Sequence, residues 1–323
     1  MVLRDFFSGM VCLAQNTVGI LGNFSVLCYH TFFHDSKHKF RPTDLILKQL
    51  MMANCLLLLS TGVPHMTTAF GFKHLFIDLT CKLTLYVQRV GRSVSVSSIC
   101  LLSVFQATTI SPLSSRGKDL KVRATKHLGF FISLCWALCM VTSLVFSLFD
   151  SNTWNSKNVT KKTFLALCSV EQNRVSGSLY VALIVFPEVV FSVLIIWSSG
   201  SMMLILYRHK QQVRHLHESR LSPGSSREVR ATQSILALVC IFVCSYTLSC
   251  VLNAYQAILD DLSWWLVSIN ELNTGVFPTV SPFIFMSRDC RVSRFCFHCV
   301  KNTKLHVRKP QVEFISPHLL PSK

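Results

Sequence analysis

The chain has 323 residues, of which 50% are hydrophobic and only 15% are charged, with a formal net charge of +17. Soluble domains have about 25% charged residues, so this composition excludes an ordinary soluble globular domain and favours a membrane protein. The positive charge is dispersed over four segments beside apolar runs, which membrane topology explains without a nucleic-acid partner.

Seven apolar runs are long enough to cross a hydrocarbon core of about 30 Å. We predict spans at residues 9–29, 44–64, 80–110, 128–149, 179–207, 232–256 and 262–287. The third run contains Lys82, Arg89 and Arg92. It still qualifies, because the interior of a helix bundle can stabilise such groups whereas an open lipid face cannot. The predicted fold class is therefore an all-α membrane protein, a bundle of seven transmembrane helices.

Basic residues in the connections predict the orientation of the bundle. One side receives 22 of the 32 Lys and Arg residues and the other side receives six. By the positive-inside rule the N-terminus is outside and the C-terminal tail is cytoplasmic. We assign an extracellular N-terminus to residues 1–8, a seven-span domain with a short interfacial helix to 9–299, and a cytoplasmic tail to 300–323.

The most polar stretch, "RHKQQVRHLHESRLSPGSSREVRATQ", occupies residues 208–233 between the fifth and sixth spans. We interpret it as the third cytoplasmic loop, where basic side chains also meet anionic lipid of the inner leaflet. Its basic residues are Arg208, Lys210, Arg214, Arg220, Arg227 and Arg230.

Nine of the fourteen cysteines lie within predicted spans, where Cys behaves as a small hydrophobe. Cys81 and Cys168 lie on the exterior side and outside the apolar runs, so we predict a disulfide between them. The same exterior loop contains Asn158 in an Asn-Val-Thr triplet, a glycosylation acceptor. Three cytoplasmic cysteines are interpreted as inert thiols or palmitoylation sites, not as a zinc site: Cys290, Cys296 and Cys299.

Ionisable side chains inside predicted spans are candidate functional residues. Arg89 and Arg92 are three residues apart and so lie near one face of the third helix. Glu271 has a similar depth in the seventh span, and we expect it to face one of these arginines. The pair either lines a ligand cavity or only fixes helix packing. Glu188 follows Pro187, whose missing N–H favours a kink in the fifth span.

Small polar residues stand in three spans at middle or inner depth: Asn23, Asn54 and Ser281. They either act as packing contacts or form a network that changes partners on activation. His30, His34 and His38, at the first cytoplasmic turn, are interpreted as solvated. The sequence contains no metalloprotease, serine-hydrolase or phosphate-binding motif, so we expect neither an enzyme nor a cofactor.

Four segments carry a resemblance to a known family: "HKFRPTDLILKQLMMANCLLLLSTGVP", "CLLSVFQATTISP", "RHKQQVRHLHESRLSPGSSREVRATQSILALV" and "FPTVSPFIFMSRDCRVSRFCF". They closely resemble vomeronasal type 1 receptors, the G protein-coupled pheromone receptors of the vomeronasal organ. Trp264 and Trp265, which open the seventh span, are similar to the same family. The resemblance extends over residues 15–305, nearly the whole chain.

The chain departs from most rhodopsin-like receptors at several positions. Phe105-Gln106-Ala107 stands where those receptors have Asp-Arg-Tyr, and Asn54 replaces the usual Asp of the second span. Bitter taste receptors also lack these motifs and are the nearest alternative. A small transporter with a charge pair at mid-membrane is a further alternative, although an odd number of spans without repeats argues against it.

The resemblance implies a chemosensory receptor in the plasma membrane of a vomeronasal sensory neuron. It implies activation of a Gi/o-type G protein through the third loop, at Arg208, Lys210, Arg214, Arg227 and Arg230. We expect a small pheromone to bind between the outer halves of the third, fifth, sixth and seventh spans, against Arg89, Arg92, Glu188, Tyr246 and Glu271. Anionic compounds such as sulfated steroids fit a free cationic pair, and neutral volatiles fit one neutralised by Glu271. A receptor that folds without signalling is not excluded by the sequence.

Overall fold

The computed structural model describes residues 2–33, 42–69, 77–110, 115–153, 186–215, 223–259 and 264–288. All of these ranges are helical, which confirms the predicted all-α bundle of seven helices. The helices are α1 Val2–Cys28, continued by a π-helical turn Tyr29–Phe33; α2 Pro42–Ala69; α3 Ile77–Ile110; α4 Ser115–Thr153; α5 Phe186–His215; α6 Pro223–Leu259; and α7 Trp264–Arg288.

Within the described residues, five helices contain a stretch that is long and apolar enough to cross a membrane. These are Gly9–Phe32, Pro42–Gly62, Leu83–Thr108, His127–Val145 and Ile235–Leu252. The described part of α5 has a shorter apolar stretch, Val189–Ile205. Large apolar side chains such as Phe130 and Trp197 are exposed on the outer surface, where only lipid is a compatible solvent. The chain is a multi-pass membrane protein.

Helix α3 lies at the centre of the bundle and contacts α2, α4, α5 and α6. Its Ile99 has no exposed area, and it belongs to one apolar core with Leu50 of α2, Ile195 of α5 and Leu238 of α6. This central position explains why α3 tolerates arginines, since its side chains meet other helices instead of lipid.

Gly91 allows α3 to approach α2 closely. A Cβ atom at this position would lie 3.1 Å from the backbone nitrogen of Leu57 and 3.2 Å from the carbonyl oxygen of Ala53. Both neighbours are backbone atoms that cannot rotate away. Small residues at helix interfaces allow this approach in membranes, where dispersion contacts drive much of the association.

A buried polar network joins α1, α2, α3 and α7 around Asn54. The Asn54 amide donates to Asn23 Oδ1 at 3.3 Å and to Ser281 Oγ at 2.9 Å, and Ser95 Oγ donates to Asn54 Oδ1 at 3.1 Å. Asn23, Asn54 and Ser281 are almost completely buried. The three residues singled out from the sequence therefore meet, and Ser95 joins them.

Asn23 of α1 supplies a hydrogen-bond donor that Pro282 removes from α7. Pro282 has no N–H, so it cannot donate to the carbonyl of Pro278 within α7. Asn23 Nδ2 of α1 donates to that carbonyl at 2.8 Å, and Ser281 Oγ adds a longer contact at 3.4 Å. A backbone acceptor that would otherwise be unsatisfied inside the membrane thus holds α1 against α7.

The structure corrects one expectation and extends another. His30 is buried, with its ring edge-on to Tyr29 at 5.5 Å, so its interpretation as a solvated residue is wrong. Because α1 continues as a π-helical turn, this side chain stays within the bundle.

Helix α5 continues to His215 and α6 starts at Pro223, so most of the 208–233 stretch is helical.

None of the nine cysteines predicted within spans forms a disulfide in the described residues. Among the described residues, no group of metal-ligating side chains is found. Cys81 lies in α3, but its side chain and the whole of Cys168 are outside the described residues, as are Asn158 and Cys290, Cys296 and Cys299. The disulfide, glycosylation and palmitoylation predictions stay predictions.

Replacing Gly91 with Val should destabilise the bundle by about 1–3 kcal/mol, because overpacking forces α2 and α3 apart. Gly200→Val is the matched control, since nothing lies within 4 Å of a Cβ atom on that exposed α5 glycine. The measurement is the thermal stability of solubilised protein together with surface expression. Equal losses for the two variants would show that close α2–α3 packing is not what Gly91 provides.

The network around Asn54 should appear as a coupling energy between its members. In a double-mutant cycle, Asn54→Ala and Ser95→Ala should couple by about 0.6 kcal/mol, the mean for interhelical hydrogen bonds in membranes. Ser97→Ala is the control, because Ser97 Oγ donates to Val94 O of its own helix at 3.0 Å. Free energies of reversible unfolding in bicelles supply the values. Purely additive effects for Asn54 and Ser95 would contradict the network.

Candidate ligand-binding site

A cavity of about 40 Å³ lies between α3, α6 and α7, with Leu57 of α2 at one side. Helix α6 contributes residues spaced three or four apart along one face. The polar and aromatic lining residues are Arg92, Ser95, Phe242, Ser245, Tyr246, Ser249, Asn273, Thr274 and Phe277. Arg92 is the only residue of this lining with a full charge, so the site combines an apolar body with one cationic group.

Arg92 is held in place from α7. Its Nη2 donates to Thr274 Oγ1 at 3.1 Å, and Thr274 Oγ1 in turn donates to Asn270 O at 2.8 Å. The acceptor is a neutral hydroxyl, so this contact orients the guanidinium without neutralising its charge. A guanidinium in such a setting gains most from an anionic or strongly accepting partner.

Asn273 connects α7 to α6 at the same level. Its Nδ2 donates to Ser245 O and to Ser249 Oγ, each at 2.8 Å. The side chain is 7% exposed and lines the cavity. The amide therefore has both of its hydrogens directed at a neighbouring helix.

Aromatic rings form another part of the lining. Tyr246 is stacked on Phe242 with 5.8 Å between ring centroids, and Phe242 meets Phe277 edge-on at 5.3 Å. Such pairs contribute about 0.5–1.5 kcal/mol beyond their buried area. They make this wall of the cavity apolar, and they join α6 to α7 beside the Asn273 contact.

The five predicted ligand residues differ from one another in their position relative to the cavity. Arg92 and Tyr246 line the cavity. Arg89 and Glu271 are partly buried outside its lining, with Arg89 Nε and Nη2 and Glu271 Oε2 shielded from solvent. The side chain of Glu188 is outside the described residues. In the described part of the chain, the cavity is walled by α2, α3, α6 and α7, without a contribution from α5.

Of the five predicted G-protein contacts, Arg208 is exposed on α5. Lys210 and Arg214 follow on the same helix, and Arg227 and Arg230 lie in the first turns of α6, but their side chains are outside the described residues. The positions thus lie on helical extensions of the bundle.

Sequence reasoning missed Asn273, Thr274, Ser95 and Ser249. Asn273 offered a signal, since an amide inside a span is costly unless it is paired. The serines and Thr274 offered little, because hydroxyls in a membrane helix usually bond to their own backbone, as Ser97 and Thr247 do here.

Comparison with known proteins agrees with this architecture. The family model of the vomeronasal organ pheromone receptors matches residues 6–298. Human vomeronasal type-1 receptor 4 is 46% identical over 298 residues, which cover 92% of this chain and 99% of that protein. Rat vomeronasal type-1 receptor 90 is 30% identical over 292 residues, covering 90% of this chain and 91% of the relative.

The crystal structure of squid rhodopsin superposes with a TM-score of 0.66 at 14% sequence identity, covering 88% of this chain and 77% of that chain. At this identity the likeness shows the fold alone, which is that of a G protein-coupled receptor. Family and fold are those of receptors and not of an enzyme family. The chain belongs to the vomeronasal organ pheromone receptor family, as its sequence indicates.

Proposed function

We propose that this protein is a chemosensory receptor that binds a small pheromone in the cavity between α3, α6 and α7 and activates a Gi/o-type G protein. The observation that carries the proposal is the cavity lining, where Arg92, Tyr246 and Asn273 converge on an apolar space between three helices. Ligand sites typically combine an apolar lining with a few placed polar groups.

The charge of the lining favours a ligand with an anionic or strongly accepting group. Arg92 lies in the cavity and its hydrogen-bond partner there is the Thr274 hydroxyl. The rings of Tyr246 and Phe242 would cover a hydrophobic skeleton. A sulfated steroid combines an anionic group with a hydrophobic skeleton. A volatile ketone has a neutral acceptor in place of the anionic group.

The cavity must widen to admit such a ligand. Its volume of about 40 Å³ accommodates a few water molecules, whereas sites for drug-sized ligands measure about 300–1,000 Å³. The ligand therefore binds an arrangement in which α3, α6 and α7 have separated. Such differential affinity is the requirement for a ligand to shift a conformational equilibrium.

The G protein would meet the cytoplasmic extensions of α5 and α6. We expect the basic residues on these extensions to lie near the inner leaflet: Arg208, Lys210, Arg214, Arg227 and Arg230. Because the same positions attract anionic lipid at about 1 kcal/mol per residue, lipid and G protein share this surface.

The direct test is agonist-stimulated nucleotide exchange on purified Gi/o heterotrimer, in membranes that contain this protein. Urinary steroid sulfates and volatile ketones form the ligand panel, and an unrelated receptor expressed at the same level is the control. A response specific to this protein supports the proposal. Silence across the panel, with surface expression confirmed, counts against these ligand classes or this G protein.

Arg92→Gln should reduce the potency of anionic agonists about 10- to 100-fold, the range expected for one charge-assisted hydrogen bond. Neutral agonists should change much less. Arg89→Gln is the matched comparison, because Arg89 lies on the same helix but outside the cavity lining. Dose–response curves in the exchange assay give the measurement. A larger effect from Arg89 than from Arg92 would move the ligand site towards the extracellular end of α3.

Glu271→Gln should change agonist selectivity while surface expression persists. Removing its charge raises the positive potential near Arg89 and Arg92, so the preference should shift towards anionic ligands. The ratio of potencies for a steroid sulfate and a neutral ketone measures the shift. If every ligand keeps its response, Glu271 serves helix packing alone.

A further inference from the structure

Asn273 of α7 makes two hydrogen bonds to one neighbouring helix. Both hydrogens of one amide nitrogen are directed at α6, to Ser245 O and to Ser249 Oγ at 2.8 Å each. The two acceptors lie one turn apart on α6, so the contact resists both sliding and separation of the helices.

The contact lies where a ligand would act. Ser245, Ser249 and Asn273 all line the cavity that Arg92 enters from α3. A molecule larger than the present space of about 40 Å³ would press against α6 and α7 at this level, where these residues form part of the wall. A hydrogen bond weakens steeply once donor and acceptor move apart, so separation of α6 from α7 breaks both contacts together.

The aromatic contacts behave differently under the same movement. Phe242 and Phe277 meet edge-on, and Tyr246 stacks on Phe242. Ring contacts are weakly directional, and the rings can slide while keeping much of their contact area. Of these contacts between α6 and α7, the two hydrogen bonds of Asn273 are the ones most sensitive to separation.

We propose that Asn273 is a restraint that holds α6 against α7 in the ligand-free receptor, and that widening of the cavity releases it. The inference deepens the proposed function and rests on it, because it names the contact that ligand binding must break. The restraint itself is a property of the ligand-free protein and can be tested without a ligand or a G protein.

The test measures the position of α6 directly. Nitroxide labels are introduced through an unnatural amino acid at the exposed positions of His127 on α4 and Gln233 on α6, and their distance distribution is recorded in lipid nanodiscs. Asn273→Leu keeps the side-chain volume but removes both donors. Each interhelical hydrogen bond corresponds to a factor of about three, so the loss of two bonds should raise the ratio of displaced to resting α6 about ninefold.

Ser249→Ala removes one of the two acceptors and should raise the same ratio about threefold. Ser249→Thr retains the hydroxyl and should restore the parent distribution. These two variants carry the test if Asn273→Leu does not fold. Combining Ser249→Ala with Asn273→Leu should add nothing to Asn273→Leu alone, because the bond is already absent.

Asn16→Leu is the matched control. Asn16 is also a buried asparagine in a span, 4% exposed, but its amide donates to Cys12 Sγ of its own helix and its oxygen accepts from Thr61 of α2. Its distribution should match the parent. An unchanged distribution in Asn273→Leu and Ser249→Ala, or an equal shift in Asn16→Leu, overturns the restraint. Failure of nucleotide exchange in every variant would instead count against the proposed function.

Discussion

The hydrogen bond from Asn23 Nδ2 to the carbonyl of Pro278 is the contact from which the arrangement of α7 follows. Every backbone acceptor inside a membrane needs a donor from the protein, and Pro282 withholds the donor that α7 itself would supply. The position of α1 is therefore tied to an irregularity in α7. With α7 fixed at this depth, Ser281 reaches Asn54 and the cavity residues of α7 face α3 and α6.

Two groups of polar residues result, one lining the cavity and one around Asn54, and Ser95 belongs to both. It lines the cavity between α3, α6 and α7, and its Oγ donates to Asn54 Oδ1 in the network that joins α1, α2 and α7. A rotation or shift of α3 that changes the cavity also changes this donor–acceptor distance. The geometry thus provides a continuous physical link between the cavity and the inner network, although coupling along it is measured by double-mutant cycles and not by proximity.

Hydropathy, charge and family resemblance predicted the fold well, because lipid leaves few alternatives to a helix bundle. Asn23, Asn54 and Ser281 meet, which both interpretations of the sequence allow, since packing contacts and a network that changes partners each need these side chains to be close. Arg92 and Tyr246 line the cavity, and their contact with a ligand stays a prediction. Arg89 shows the limit of this reasoning: three residues on a helix correspond to about a 60° difference in direction, and only packing decides which arginine enters the cavity.

Other details depend on interactions that a hydropathy pattern does not contain. The close approach at Gly91 is a property of the α2–α3 pair, since Gly129 and Gly200 are equally helical and have no neighbour within 4 Å. His30 is buried because α1 continues into a π-helical turn, which depends on local packing. The polarity of the stretch 208–233 indicates a loop, yet polar residues on a helix that leaves the membrane are solvated without breaking the helix.

The small volume of the cavity has a thermodynamic consequence for the proposed function. A ligand activates a receptor only by its difference in affinity between two arrangements, and equal affinity shifts nothing however tight the binding. A preformed cavity of full size would bind ligand in the resting arrangement and reduce that difference. A resting cavity of about 40 Å³ is smaller than a steroid-sized ligand. If ligand binding requires the Asn273 contact to open, as proposed, the affinity measured in solution is the intrinsic affinity reduced by the fraction of receptors in which that contact is already open.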